Sequence, residues 1–489
     1  MDTGSALSVH ANIYTLLSFT AYILLMLGIG IYSTKFSSKG LGEFFLGGRS
    51  MNKFVVALSA VASGRSSWLL IGFTGMAFVK GVSAIWAAVG YVTAEFLMFL
   101  FAAPKLRRQT ELKDDITVSD YFESRFNDKS HVLRLISALI IIIFMTAYIS
   151  AQFVGGGKAF ASSFGTSSEA GIVITALIVL LYTMLGGFLA VSLTDVIQAF
   201  FMLFALFILP VISIAEFGGW NKVIDAVYNV NPDLIDPFAI STGALIGFIG
   251  IGLGSPGNPH ILVRYMSIKD PAELKFSAYV GTFWNASMAI AAVVIGLVGR
   301  AYFASAENLP GNDAENLYPY LAQLHLHPVL FGIVIASILA AIMSTADSML
   351  LVSASAVIRD IYQKIINPKR NFTQKELVFY SRLVILLIVI VALVFGYFAS
   401  DLVFWLVLFA WGGLGAAFGP TILLSLFWRK TTKEGVAAGF VIGVLTIIIW
   451  RQTPELKSIV YELVPGFLLS LFFTIVVSLV TQKKEKADI

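Results

Sequence analysis

The run Ala340-Ala341-Ile342-Met343-Ser344-Thr345-Ala346-Asp347-Ser348 lies inside a long apolar stretch. Read as a helix, it sets Ala341, Ser344, Thr345 and Ser348 on one face. That face offers three hydroxyls and a small residue beside them. A hard cation such as sodium takes several oxygen ligands, neutral ones included. Hydroxyls combined with carbonyls freed by an unwound helix supply such a set. The same hydroxyls also suit a plainer role, bonding back to a carbonyl one turn earlier or letting two helices pack closely. Four ionisable groups fall at comparable depth: Arg65, Glu95, Asp195 and Asp347. Such groups are costly in a membrane and face a cavity or a partner. Asp195 and Asp347 fit a second cation site or a proton relay, or structural carboxylates bonded to nearby hydroxyls.

Bond-making chemistry has no comparable support. The chain has no cysteine, which excludes thiolate metal sites and cysteine nucleophiles. Its five histidines, at 10, 131, 260, 325 and 327, show no metal-ligand spacing inside a span. No nucleophile–base pair falls in a span. The expectation is that the protein is not an enzyme and uses no cofactor.

The elements that must hold these groups are membrane helices. Of 489 residues, 58% are apolar and 13% charged, about half the charge of a soluble domain. Thirteen apolar segments recur: 12–34, 52–80, 83–104, 132–160, 169–187, 189–213, 238–262, 276–303, 328–360, 377–399, 402–428, 434–450 and 458–481. The first lacks a basic leader and a small-residue cleavage site, so it reads as a span. Alternate loops and the C-terminal tail hold 26 of the 33 Lys and Arg, including Arg264 in the loop 264–275; the opposite loops hold six, and Arg65 is left inside a span. The positive-inside rule then places the N-terminus outside and the C-terminus in the cytoplasm. The longest polar connections are about 25 residues, too short for a soluble catalytic or output domain.

Two spans are interrupted midway. The second carries Ala62-Ser63-Gly64-Arg65-Ser66-Ser67 and the seventh Gly250-Ile251-Gly252-Leu253-Gly254-Ser255-Pro256-Gly257-Asn258-Pro259. Four Gly and two Pro in ten residues cannot make a regular helix. The interruptions lie about 190 residues apart, with five spans per unit. An odd number of spans inverts the second copy, the pattern of a secondary transporter whose broken helices meet at the midplane. A pair of lipid-adapted kinks is the alternative. A channel needs a continuous polar pore, for which no filter-like run is present. A transporter-like sensor would need a separate output partner.

Several motifs are similar to those of the sodium/solute symporter family, and within it to the bacterial sodium/proline symporters. They are Leu46-Gly47-Gly48-Arg49-Ser50, Ser67-Trp68-Leu69-Leu70, Gly186-Gly187-Phe188-Leu189-Ala190-Val191-Ser192 with Thr194-Asp195 and Gln198, Pro259-His260-Ile261-Leu262 with Arg264, Ile338 to Thr345, and Gly415-Ala416-Ala417-Phe418-Gly419-Pro420. The resemblance covers nearly the whole chain. It implies an all-α polytopic membrane protein of the LeuT type. Its core would be two inverted five-helix repeats, about 52–213 and 238–428, with peripheral helices 12–34, 434–450 and 458–481. It implies a sodium site from the carbonyls of Ala62, Arg65 and Ala341 and the hydroxyls of Ser344 and Thr345. Asp195 matches an acid that some relatives use for a second sodium, flanked by Ser348 and near Asp347. Tyr148 matches an aromatic residue of the solute pocket, to which Arg65, Ser66, Ser67, Ile251 and Ser255 are added by position.

The departures concern the solute. The proline carriers usually have Asp-Met where this chain has Gly64-Arg65, and Trp and Tyr where it has Ile251 and Ser255. A guanidinium about 6 Å from sodium, at an effective dielectric of about 20, repels it by roughly 3 kcal/mol, about a hundredfold in affinity. Three arrangements relieve this. Arg65 binds a solute carboxylate, pairs with Glu95 or Asp347, or replaces the ion. The resulting expectation is sodium-coupled symport of a small carboxylate-bearing solute, an amino acid such as proline, by alternating access. The alternatives are a non-amino-acid carboxylate or a sodium-independent carrier. The partners would be the solute, sodium ions and the bilayer of a bacterial-type plasma membrane, with no nucleic acid and no obligatory oligomer.

Overall fold

The computed structural model describes residues 12–37, 40–399 and 402–482. The tail lysines counted above, Lys483, Lys484 and Lys486, lie outside the described residues. Within these the chain is helical from end to end, with no strand longer than the single bridge between Met51 and Ile268.

Ten helices among the described residues are long and apolar enough to cross a membrane, and three shorter apolar ones accompany them: Lys53–Gly64, Ser168–Met184 and Thr242–Gly257. The expectation of thirteen spans differs from ten because the chain interrupts itself. Two of the short helices are first halves of the broken spans. The third stops just before Gly187, whose φ of 61° and ψ of −170° turn the chain inside what is otherwise one helical run, Ser168–Phe217. A side chain resists that backbone conformation and glycine does not.

Both sequence-predicted interruptions are present. The first helix stops at Gly64; Arg65 takes φ −115°, ψ 61°, and the chain resumes as a π-helical turn, Trp68–Phe73. The second changes from α-helix to a 3-10 segment, Ile251–Gly257, before Asn258 (φ −98°, ψ 103°) and the helix Pro259–Ser267. Gly254 is required there by proximity: a Cβ would fall 2.0 Å from the indole nitrogen of Trp411.

Burial separates inner from outer helices. The apolar windows of Pro328–Ile366 and Val403–Phe427 are 83% buried, against 28–33% for Ile13–Tyr32, Lys433–Gln452 and Leu463–Thr481. The first broken helix packs on Ser168–Phe217, Leu274–Tyr302 and Pro328–Ser355; the second packs on Ile85–Leu97 and Val403–Phe427. One polar tie crosses this core at a helix end. Glu315 accepts the backbone N–H of Val403 (3.0 Å) and Phe404 (2.8 Å), and receives Lys158 Nζ at 2.5 Å, while Asp313 holds the same ammonium at 2.6 Å.

Candidate functional site

The interruption at Arg65 frees carbonyls that a continuous helix would have consumed. The hydroxyls of the Pro328–Ser355 helix reach them. Ser344 Oγ donates to the carbonyl of Ala62 at 3.1 Å and to that of Ala341 at 3.2 Å; Thr345 Oγ1 donates to the carbonyl of Ser63 at 3.0 Å. Ala62, Ser63, Ala341, Ser344 and Thr345 are buried. Four of the five predicted sodium ligands are thereby brought together. The carbonyl that meets Thr345 is that of Ser63, two residues before the expected Arg65. A hydroxyl that now donates to a carbonyl can turn and give its lone pairs to a cation, with the same carbonyl completing the shell.

One helical turn toward Ser348 stands a charged cluster. Asp195 Oδ2 accepts from Ser59 Oγ (2.6 Å), Ser63 Oγ (3.2 Å) and Arg264 Nη2 (3.2 Å). Ser348 Oγ sits 3.2 Å from Ser63 Oγ, donates to the carbonyl of Ser344 at 2.7 Å, approaches Asp347 Oδ1 at 3.1 Å, and accepts from Arg264. So Asp195, Ser348 and Asp347 do form one group. Arg264 corrects the loop count of cations: it is 1% exposed in the Pro259–Ser267 helix, with Nη1 on the carbonyl of His260 at 2.7 Å. The rule of charge sorting counts residues by position, and a buried ion pair just past a helix break passes for a loop cation. Asp195 Oδ1 and Asp347 Oδ2 are buried without a hydrogen-bond partner. Two carboxylates and one guanidinium leave a net charge of minus one if both acids are ionised.

Arg65 takes the pairing arrangement. Its guanidinium is ion-paired with Glu95 and lies 3.9 Å from the ring centroid of Tyr91; Glu95 Oε2 accepts from Asn285 Nδ2 at 2.6 Å. Both members are buried. The charge that would repel a sodium ion is balanced beside it, and Asp347 takes no part.

Of the predicted solute residues, Ser66 and Tyr148 come together just past the first break, Ser67 meets Gln152 beside them, and Ile251 and Ser255 lie in the second break. Ser66 Oγ is 3.4 Å from Tyr148 Oη. Ser67 donates to Gln152 Oε1 twice, from its N–H at 3.0 Å and its hydroxyl at 2.9 Å. Ile251 offers its carbonyl to Trp411 Nε1 at 2.9 Å. Ser255 is buried nearby in the 3-10 segment, its hydroxyl unpartnered. Trp411, from the neighbouring helix, lays its indole against this segment beside Gly254. Gln152 Nε2 and Asn258 Oδ1 are likewise buried and unpartnered.

Sequence reasoning missed Ser59, Ser63, Gln152, Arg264 and Trp411 as site residues. Two had a signal. Ser59 precedes Ser63 by one turn on the same face, and Gln152 follows Tyr148 by one turn. Arg264 and Trp411 enter through tertiary packing that no local pattern carries.

Buried oxygens gathered where an interrupted helix meets the Pro328–Ser355 helix, in a core that holds a second interrupted helix, define a secondary transporter of the broken-helix kind. The chain belongs to the sodium:solute symporter family, whose model matches residues 44–443. It is 40% identical over 480 residues to the osmoregulated proline transporter OpuE of Bacillus subtilis (strain 168), covering 98% of this chain and 97% of that one. It is 39% identical over 494 residues to the sodium/proline symporter of Staphylococcus aureus (strain JH9), covering 99% and 96%. The substrate-bound outward-open structure of a Na+-coupled sialic acid symporter superposes with a TM-score of 0.82 at 20% identity, over 96% of this chain and 98% of that one. The crystal structure of MhsT in complex with L-phenylalanine superposes with a TM-score of 0.57 at 14% identity, over 88% and 98%. These two likenesses speak for the fold.

Proposed function

We propose that this chain is a sodium-driven symporter for a small amino acid, with proline the first solute to test. The observation that carries the reading is the reach of Ser344 and Thr345 to the carbonyls of Ala62 and Ser63. Sodium bound there, with Ala341 and the backbone of Arg65 alongside, fixes the broken helix and so completes the solute pocket. Sodium and solute then raise each other's affinity. The two relatives named for proline transport support the choice of solute.

The pocket chemistry agrees with a zwitterion. Gln152 Nε2 and the Ser255 hydroxyl are unspent donors for a carboxylate, and Asn258 Oδ1 is an unspent acceptor for an amine. Ser66, Ser67, Tyr148 and Ile251 form the remaining wall. A carboxylate without an amine would leave Asn258 without its partner, which favours the amino acid. The ion pair of Arg65 with Glu95 removes the reason for a sodium-independent carrier. Asp195, Asp347 and Ser348 form a second cation position, whose net negative charge is the motive for a further ion. In this reading, residues 52–213 and 238–428 are inverted repeats within one membrane domain of thirteen crossings. The N-terminus faces outward, the C-terminus faces the cytoplasm, and a monomer suffices.

The test is uptake of labelled proline into proteoliposomes under an imposed inward sodium gradient, with unlabelled amino acids and carboxylates as competitors. Accumulation that vanishes when the gradient is collapsed supports the reading. Uptake indifferent to sodium overturns the ion assignment. Sodium-driven uptake untouched by any amino acid overturns the solute class.

A further inference from the structure

One cavity, lined by none of the proposed solute residues, is strongly basic. It measures about 380 Å³ and its lining includes Lys105, Arg108, Arg125 and Arg429, with Phe427 and Trp428. Four cations face it and no carboxylate does. Its neighbours differ: one cavity mixes Asp120, Glu123 and Asp128 with Arg134 and Lys129, and another mixes Glu43 and Asp114 with Arg49. Like charges collected without a counterion repel one another, so such a cavity is stabilised by an anion. Among the described residues, none of the four cations pairs with a carboxylate. Lys105 Nζ instead lies 4.0 Å from the ring centroid of Phe427, and Arg125 Nε donates to the carbonyl of Ser425 at 3.1 Å. Two of the cations are thus held in place and still have donors to give.

The rim says which anion. Phe427 ends a membrane helix and is 47% exposed, and Trp428 follows it half-buried. An exposed ring and an indole at the end of a span are the construction of a bilayer interface. A free phosphate has no use for that apolar edge, whereas a lipid places acyl chains along it and its phosphate among the cations. Arginine forks suit phosphate oxygens, and basic pockets beside membrane helices hold anionic headgroups.

We propose that this cavity binds the headgroup of an anionic phospholipid. The headgroup sits between the helices Ala103–Leu112 and Val118–Phe126 on one side and the end of Val403–Phe427 on the other. It therefore spans the two halves of the core. In the orientation proposed above, it lies on the cytoplasmic side.

The experiment is native mass spectrometry of the full-length protein, taken from vesicles of phosphatidylcholine mixed with phosphatidylglycerol or cardiolipin. The wild type is expected to retain anionic lipid. The triple variant Lys105→Gln, Arg108→Gln, Arg429→Gln should bind it about a hundredfold more weakly. Removing three cations elsewhere on the same side, Lys269→Gln, Lys275→Gln and Lys369→Gln, should leave retention intact. Equal retention by the triple variant and the wild type overturns the site. An equal loss in the control variant overturns it as well, by reducing it to general surface charge. Inorganic phosphate that displaces the lipid completely at equal concentration overturns the lipid in favour of a soluble anion. Retention is read without transport, so it fails or succeeds independently of the proposed solute.

Discussion

Each interrupted helix brings one buried arginine, and the two are balanced differently. Arg65 faces a single acid, and both oxygens of Glu95 are used, one by the guanidinium and one by Asn285. Arg264 stands near two acids. One oxygen of Asp195 takes three donors while the other takes none, and Asp347 keeps an oxygen unpartnered. The first cluster is balanced in charge with both carboxylate oxygens spent, and its unpartnered atoms are Arg65 Nε and Asn285 Oδ1. The second is unfinished on its acids, which outnumber the guanidinium and keep one free oxygen each. A finished pair holds a helix break in shape; an unfinished one leaves room for a mobile cation to act.

The largest expected effect breaks the finished pair. Glu95→Gln strands the Arg65 guanidinium in the core and should cost about 3–5 kcal/mol. Thermal unfolding in detergent would read it. The double variant Arg65→Met, Glu95→Gln should recover most of the loss, and an unrecovered loss would show that Glu95 acts through something other than Arg65. Next comes the neutral oxygen site between the clusters. Ser344→Ala and Thr345→Ala should each raise the sodium concentration for half-maximal uptake about 10- to 100-fold. Thr345→Ser should stay near wild type, since the hydroxyl is what counts. Sodium titration of uptake decides this. Asp195→Asn should be milder, about tenfold in sodium affinity, because Asp347 still faces Arg264 from nearby. A shift as large as that of Ser344→Ala would move the principal ion into the unfinished cluster.

The smallest effect uses a buried acid outside the spans as a reference. Burial pushes the carboxyl of Asp115 up to about 6, against an ordinary 3.8, opposed by the Ser124 hydroxyl at 2.6 Å and more weakly by Arg134 and Arg49. Its folded value is raised, so its contribution to stability is present below the ordinary value and lost as pH rises through about 6. Asp115→Asn should therefore gain about 1 kcal/mol near neutral pH, a figure reduced for partial solvent access, and nothing at about pH 3. Unfolding midpoints at the two pH values would measure it. The same comparison with Asp195→Asn separates an acid held by a guanidinium from one that is not.

The sequence made the scaffold legible because the bilayer imposes simple rules. Long apolar runs must be helices, and a Gly- and Pro-rich run such as 250–259 cannot be one. The hydroxyls of Ser344 and Thr345 were legible through helical spacing. The meeting of Thr345 with the carbonyl of Ser63 was not legible, because dihedral angles and not residue types decide which carbonyl turns toward a neighbouring helix. Arg264 was misread as a loop cation. Its burial depends on Asp195, 69 positions earlier, and charge counting has no access to that partner. Trp411 was invisible for the same reason: its indole meets the carbonyl of Ile251 from a helix 160 positions further on.

Glu315 carries one more consequence. Its carboxylate grips an ammonium on one helix and two amides at the start of another, and these three attachments share the same pair of oxygens. Withdrawing that side chain frees the two amides, while Asp313 still holds the ammonium at 2.6 Å. Parting Lys158 from the start of the Val403–Phe427 helix therefore breaks only the Glu315 contacts, and the ammonium stays seated on Asp313, as a pin stays in a latch whose catch has been lifted.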